Sequence, residues 1–226
     1  MRKVLLLCAL SLSFTAQSAT PPGAVNVSNR PLLVVAGASY AGSWKIARLG
    51  QYSIVNRGKG GDETSQVLAR FDSDVLALKP DAVLIWGHIN DIHRASPDKR
   101  SAARERAKAN LRAMVEKARE QGVVVMVGTE ITLSKAIGLG NRLAAFINDL
   151  RGKEGYSAKI NAEVRSINDW LRGYAREQGL KLFDFERVLD DGEGFREVEY
   201  TSADGTHVSD AGYAALTSYA EAEITR

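Results

Sequence analysis

The sequence predicts an α/β fold built on a doubly wound parallel sheet, and two patterns carry this prediction. Five short apolar runs lack the polar alternation of a half-exposed strand, which is typical of strands buried on both faces. Helical patterns long enough to connect parallel strands alternate with these runs. The length of 226 residues, with 45% hydrophobic and 25% charged residues, fits an ordinary globular protein. We therefore expect one domain, residues 19–226.

The first 18 residues are predicted to be a secretory signal peptide. Arg2 and Lys3 form a positive start, residues 4–14 are mostly apolar, and small residues at 16 and 18 suit cleavage. The stretch is short for a transmembrane helix, which needs about 20 apolar residues. We expect an exported protein, periplasmic or secreted, with no stable membrane anchor after cleavage; an uncleaved N-terminal anchor is the alternative.

Composition excludes several classes of function. Cys8 is the only cysteine and would leave with the signal, so the mature chain would have no disulfide, thiol nucleophile or Cys-ligated zinc. Basic and acidic residues are mixed along the chain, with a net charge of +3. The spacing of the three histidines, at positions 88, 93 and 207, matches no metal motif. We expect no metal and no nucleic-acid partner.

The elements follow in order along the chain. The helix after Ser96-Pro97 repeats apolar residues at i, i+4, i+7 and i+8 up to Gly122, and a second helix repeats this spacing from Ile160 to Tyr174. A last helix is expected to run from about Ser209 through Tyr219. The five predicted strands are residues 32–35, 52–55, 82–86, 123–127 and 180–183.

Ligands of such sheets bind at the carboxyl ends of the strands. The segments at or near those ends hold a serine (Ser39), an amide side chain (Asn90) and a carboxylate three residues before a histidine (Asp204 and His207). A serine hydroxyl becomes a nucleophile when a neutral imidazole takes its proton, and a carboxylate orients that imidazole. The set therefore predicts acyl transfer, with Ser39 as nucleophile, His207 as base and Asp204 as its partner.

A tetrahedral intermediate also needs hydrogen-bond donors for its oxyanion. We expect these from the Ser39 and Gly58 amides and the Asn90 side chain. A glycine at position 58 suits a backbone that approaches substrate closely.

These four segments, in this order, resemble the SGNH hydrolase family, also called GDSL-type esterases and lipases. The resemblance extends from Pro31 to about Tyr219 and implies a flavodoxin-like three-layer α/β/α sandwich with a five-stranded parallel sheet. It also implies a shallow, open site that uses no metal or organic cofactor. The substrates of such proteins range over lipids, thioesters and acetylated sugars.

The chain departs from the family pattern at two places. Ala38 stands where the family usually has an aspartate before the nucleophile, which removes an acceptor from that turn. Two residues separate Gly87 from Asn90 where the family usually has one, so the loop must bulge or start one residue earlier.

Three further residues are predicted to contact substrate: Tyr40, His88 and Phe146. A space-filling role is the alternative for His88. Phe146 lies in residues 131–157, a probable insertion after the fourth strand, where apolar residues from Leu139 to Leu150 share one helical face. This face either covers the core or forms a flap over an acyl chain.

The sequence therefore predicts an exported, monomeric serine esterase acting on a small-molecule, lipid or saccharide ester. A carbohydrate O-acetylesterase, an O-acyltransferase and a non-catalytic binding domain of the same fold remain as alternatives, because the motifs report on carbonyl chemistry and not on the leaving group.

N-terminal sequencing of the exported protein tests the signal prediction. The mature chain is expected to begin at or near Ala19, because cleavage follows the small residue at position 18. A retained Met1 would refute the signal assignment.

Overall fold

One sheet of six strands organises the part of the chain that this computed structural model describes, residues 30–135 and 153–225. The strands are β1 (Leu32–Gly37), β2 (Arg48–Leu49), β3 (Tyr52–Gly58), β4 (Ala82–Trp86), β5 (Val124–Gly128) and β6 (Lys181–Phe183). Their order is β2-β3-β1-β4-β5-β6. β3, β1, β4, β5 and β6 pair in parallel, and β2 pairs antiparallel with β3.

The predicted fold class is confirmed, with one addition. All five apolar runs form the parallel strands. The expected burial on both faces holds for β4 and nearly all of β1, whereas no residue of β3 and only one of β6 is fully buried. β2 was not predicted, since a strand of two residues shows no periodicity.

Helices flank the sheet. They are α1 (Ser39–Ser43), α2 (Thr64–Ala69), α3 (Phe71–Asp74), α4 (Ile89–His93), α5 (Arg100–Glu120), α6 (Lys153–Gln178), α7 (Phe185–Leu189) and α8 (Asp210–Ile224). The expected apolar stripe of α5 is buried, as is that of α6 up to Leu171. Ser209 caps α8, because its side chain accepts a hydrogen bond from the Gly212 amide at 3.2 Å. None of the helices in the two described ranges combines the length and hydropathy that a membrane span requires.

The predicted insertion is described only at its ends. Residues 131–135 follow β5 without helical structure, and residues 153–157 already belong to α6. Phe146 and the proposed flap lie outside the described residues, as does the predicted signal peptide.

An aromatic cluster supports the carboxyl edge of the sheet. The Trp86 ring centroid lies 5.8 Å from that of Trp44 and 4.6 Å from that of Phe185. All three side chains are buried. The end of β4 is therefore held by close aromatic packing, and the chain turns from there into the segment that holds Asn90.

Gly58 lets α1 pack closely on the end of β3. A Cβ at this position would lie 2.1 Å from the Gly42 nitrogen, which is backbone and cannot move aside. The glycine is thus required by packing between β3 and the helix that begins with Ser39.

Replacing Gly58 with Ala is expected to destabilise the fold by about 1–3 kcal/mol, the usual cost of overpacking. Gly173→Ala is the matched control: no atom lies within 4 Å of its added Cβ, so this interior helix position should gain about 0.5–1 kcal/mol. Urea unfolding measures both. An unchanged midpoint for Gly58→Ala would contradict the packing role.

Candidate active site

Ser39 lies at the carboxyl edge of the sheet, as the first residue of α1 directly after β1. It borders a pocket of about 310 Å³. The lining residues are Ser39, Tyr40, Gly60, Gly61, Ile89, Asn90, His93, Leu133, Thr206 and His207. The topology thus brings three of the predicted catalytic and oxyanion-hole residues, Ser39, Asn90 and His207, to one pocket.

His207 and Asp204 form a close pair beside this pocket. The His207 Nδ1 atom lies 2.6 Å from the Asp204 Oδ2 atom. The other carboxylate oxygen accepts hydrogen bonds from the His207 amide at 2.9 Å, the Ser202 hydroxyl at 2.6 Å and the Thr206 amide at 2.8 Å. These bonds, led by that of the His207 amide, hold the pKa of the Asp204 carboxyl well below its usual range. Asp204 therefore stays ionised and can hold the imidazole with its Nε2 atom free.

Asn90 enters the pocket from α4. Its Nδ2 atom donates to the Asp62 carbonyl oxygen at 2.9 Å, which fixes the amide orientation and leaves a second N–H available. The extra residue before Asn90 is accommodated as a helix start: Gly87 adopts a φ of 143°, His88 precedes the first turn and α4 begins at Ile89.

Glu130 holds the start of α4 and was missed by sequence reasoning. This buried carboxylate accepts hydrogen bonds from the His88 amide at 2.6 Å and the Ile89 amide at 3.1 Å. Burial raises its pKa, and these amide bonds act in the opposite direction. Only its position directly after β5 could have drawn attention to it.

The Gly58 amide is occupied away from the pocket. It donates to the Asn56 Oδ1 atom at 2.8 Å, and Gly58 is not among the lining residues. Gly60 and Gly61 line the pocket instead. Gly61 has a φ of 81°, a conformation that glycine adopts without strain. The sequence shows several glycines at the end of β3 and just after it, and the prediction named the first of them, Gly58, as the one that borders the substrate.

Of the predicted substrate contacts in the described residues, Tyr40 lines the pocket and His88 does not. Tyr40 lines the pocket with its ring edge-on to His207, the centroids being 6.2 Å apart. His88 is buried and absent from the lining, and desolvation lowers its pKa to about 3. Its environment agrees with the space-filling alternative. His93 and Leu133, which sequence reasoning did not select, complete the wall.

Arg196 connects the segment that begins with Ser39 to the loop that carries His207. It is 1% exposed, and its guanidinium donates to the Thr206 carbonyl oxygen at 2.7 Å and to the Thr201 hydroxyl at 3.0 Å. The Tyr40 hydroxyl donates to the same Thr206 carbonyl at 3.1 Å. The residue after Ser39 and the residue before His207 thus share one buried anchor. No local sequence pattern marked Arg196.

Arg70 holds the turn around Ala38. Its guanidinium donates to the Gly37 carbonyl oxygen at 3.0 Å and to the Arg57 carbonyl oxygen at 2.8 Å. It also pairs with Asp62 at 2.8 Å. Ala38 itself provides no side-chain cap for α1, so these contacts stabilise the turn before Ser39 in the absence of an aspartate there.

The fold and this pocket define a class. A hydroxyl, a carboxylate-paired imidazole and a side-chain amide at the carboxyl edge of a parallel sheet are the groups that acyl-transfer chemistry requires. The chain belongs to the GDSL-like Lipase/Acylhydrolase family, whose model matches residues 28–215.

Solved structures share the fold over most of the chain. A GDSL-like lipase from Bacteroides thetaiotaomicron is 20% identical, with a TM-score of 0.64, and the match covers 86% of this chain and 88% of that one. The lipase/acylhydrolase from Enterococcus faecalis is 24% identical, with a TM-score of 0.58 and coverage of 86% and 95%. An acetylxylan esterase from Geobacillus stearothermophilus, solved as a catalytic mutant, is 18% identical, with a TM-score of 0.58 and coverage of 86% and 94%.

One curated relative matches a shorter region. The uncharacterized lipoprotein YqeF of Bacillus subtilis is 31% identical over 94 residues, which is 42% of this chain. The matched region spans 39% of the length of that relative.

Arg196→Met is expected to lower kcat strongly with a small change in KM, because the loop before His207 loses its anchor and a 1 Å displacement of a reacting group can cost about 10²-fold. Arg196→Lys should restore only part of the lost kcat, since Lys lacks the planar guanidinium that bonds two acceptors at once. Steady-state kinetics well below the melting temperature test this. Arg104→Met, which removes a partly buried ion pair with Glu163, is the control for general destabilisation. A wild-type kcat for Arg196→Met would contradict the positioning role.

Proposed function

We propose that this protein is an exported serine esterase that hydrolyses carboxylic ester or thioester bonds through an acyl-enzyme on Ser39. The observation that carries the proposal is the shared pocket of Ser39, Asn90 and His207, with His207 Nδ1 held 2.6 Å from Asp204. Membership of an acylhydrolase family supports hydrolysis of an ester. The lipoprotein relative supports export.

The reaction follows in two steps. The His207 Nε2 atom takes the proton of the Ser39 hydroxyl while Oγ attacks the carbonyl carbon of the substrate. As the tetrahedral intermediate collapses, the imidazolium protonates the leaving group and the acyl-enzyme remains. A water molecule, deprotonated by the same imidazole, attacks the acyl carbon, and Ser39 leaves with the proton returned by His207. Asp204 keeps the tautomer and compensates the positive charge.

Three donors would stabilise the oxyanion. The Ser39 amide lies in the first turn of α1, where backbone N–H groups have no partner within the helix. The free N–H of Asn90 is the second. For the third we propose an amide of the glycine pair Gly60–Gly61 in place of Gly58, because those residues line the pocket and the Gly58 amide is already bonded to Asn56.

An O-acetylesterase acting on carbohydrate is the second candidate, and the size of the pocket favours it. A volume of about 310 Å³ is at the lower end of the range of small-molecule sites, roughly 300–1,000 Å³. The acetylxylan esterase with a similar fold agrees with this candidate. A series of p-nitrophenyl esters separates the two: an acetylesterase prefers two-carbon acyl groups, and an acyl groove favours longer chains, since each buried methylene contributes about 0.8 kcal/mol.

A fluorophosphonate label tests the nucleophile. Ser39→Ala is expected to abolish both labelling and turnover, while Ser101→Ala, an exposed serine on α5, should leave both unchanged. Asn90→Ala should lower kcat by about 10²–10³-fold, as the loss of one oxyanion donor does. Mass spectrometry locates the label. Labelling that persists in Ser39→Ala would overturn the proposal.

A further inference from the structure

A second cavity, also of about 310 Å³, lies next to the candidate active site and is predominantly polar. Its lining includes three cationic side chains, Arg94, Lys99 and Arg106. The carboxylates of Glu63 and Asp91 also border it. Neither the family membership nor the proposed mechanism assigns it a role.

The two cavities are neighbours across α4 and the loop before α2. Asn90 lines the first cavity, and the next residue, Asp91, lines the second. The Arg94 Nη2 atom lies 3.0 Å from the point that a Cβ on Gly61 would occupy, and Gly61 borders the active-site pocket. A substrate bound at Ser39 therefore needs only a short extension to reach Arg94, at the near side of the second cavity.

Both carboxylates of the second cavity are already engaged. Asp91 is buried and accepts hydrogen bonds from the Thr64 hydroxyl at 2.6 Å and the Thr64 amide at 3.0 Å. Glu63 forms the capping box of α2, and its carboxylate lies 3.7 Å from Arg94. Among the side chains that the structure describes, those of residues 30–135 and 155–225, none is an acidic partner within 4 Å of Lys99 or Arg106. Their positive charge is therefore available to a ligand.

We propose that this cavity binds an anionic group of the substrate, a carboxylate or a phosphate, while the ester bond lies at Ser39. Arginine matches the oxygens of both groups in a bidentate manner, and a nearby lysine adds a point charge. The inference rests on the proposed esterase function and specifies its substrate class: esters that carry a negative charge near the scissile bond.

Matched esters test this class. Phenyl acetate is compared with 3-carboxyphenyl acetate and 3-phosphonooxyphenyl acetate, which place a carboxylate or a phosphate on the leaving group. p-Nitrophenyl butyrate is compared with p-nitrophenyl hydrogen succinate, which places the charge on the acyl chain. The quantity measured is the ratio of kcat/KM for the charged ester to kcat/KM for its neutral counterpart.

The wild-type ratio is expected to exceed one for at least one pair and to fall as salt is added, since added ions screen exposed charges. Lys99→Gln and Arg106→Gln should each lower that ratio by about two- to fivefold, the usual effect of one exposed ion pair. The double variant should also reduce its salt dependence. Arg176→Gln is the control. It removes the same charge from the last turn of α6, which does not line the cavity, and it should leave the ratio unchanged.

Each outcome decides the matter. A ratio that stays the same in the double variant, or that is below one for every pair, overturns the anion subsite while neutral-ester turnover leaves the esterase intact. Absence of turnover for all five esters, in protein that shows a cooperative thermal transition, overturns the esterase and this inference together.

Discussion

The pairing of β1 with β4 is the constraint on which the site depends. These parallel strands are neighbours in the sheet, with Gly37 in register with Trp86, so the chain leaves both at the same edge. A flavodoxin-like strand order makes this pair the point where connections diverge to opposite faces, which opens a crevice for a ligand. Ser39 follows one strand and Asn90 follows the other. The Ser39 hydroxyl and the Asn90 amide therefore border one pocket because of sheet topology, although they are 51 residues apart in the sequence.

Buried and partly buried polar side chains hold the loops that border this crevice. Glu130, Arg196 and Arg70 each donate to or accept from the backbone of a loop that carries a site residue. Burying such groups is costly unless they are hydrogen-bonded, so each arrangement favours one loop conformation. The pair of His207 and Asp204 differs from these side chains, since both residues are about half exposed. The side chains that hold the loops are thus buried or partly buried, whereas His207 and Asp204 are open to solvent.

The short helix α4 lies between the pocket of Ser39 and the second cavity. Asn90 belongs to the pocket of Ser39, and Asp91 turns to Thr64 at the start of α2. Arg94, directly after the helix, lies between Gly61 and Glu63. A helix of five residues therefore separates the pocket of Ser39 from a cavity lined by three cationic side chains. Under the two functions that we propose, one side of this helix would stabilise the oxyanion and the other would select the substrate.

The sequence by itself determined which segments form the parallel strands and the long helices, and the pairing of Asp204 with His207, because each of these shows in a pattern of residues near one another in sequence. Apolar runs and helical spacing report burial directly, and a carboxylate three residues before a histidine can meet it within one loop. Only the tertiary structure decided which glycine borders the pocket, and that Glu130 and Arg196 hold its loops. Glu130 bonds the His88 amide 42 residues away, and Arg196 bonds the Thr206 carbonyl oxygen across an irregular loop; periodic local patterns carry no information on either kind of partner.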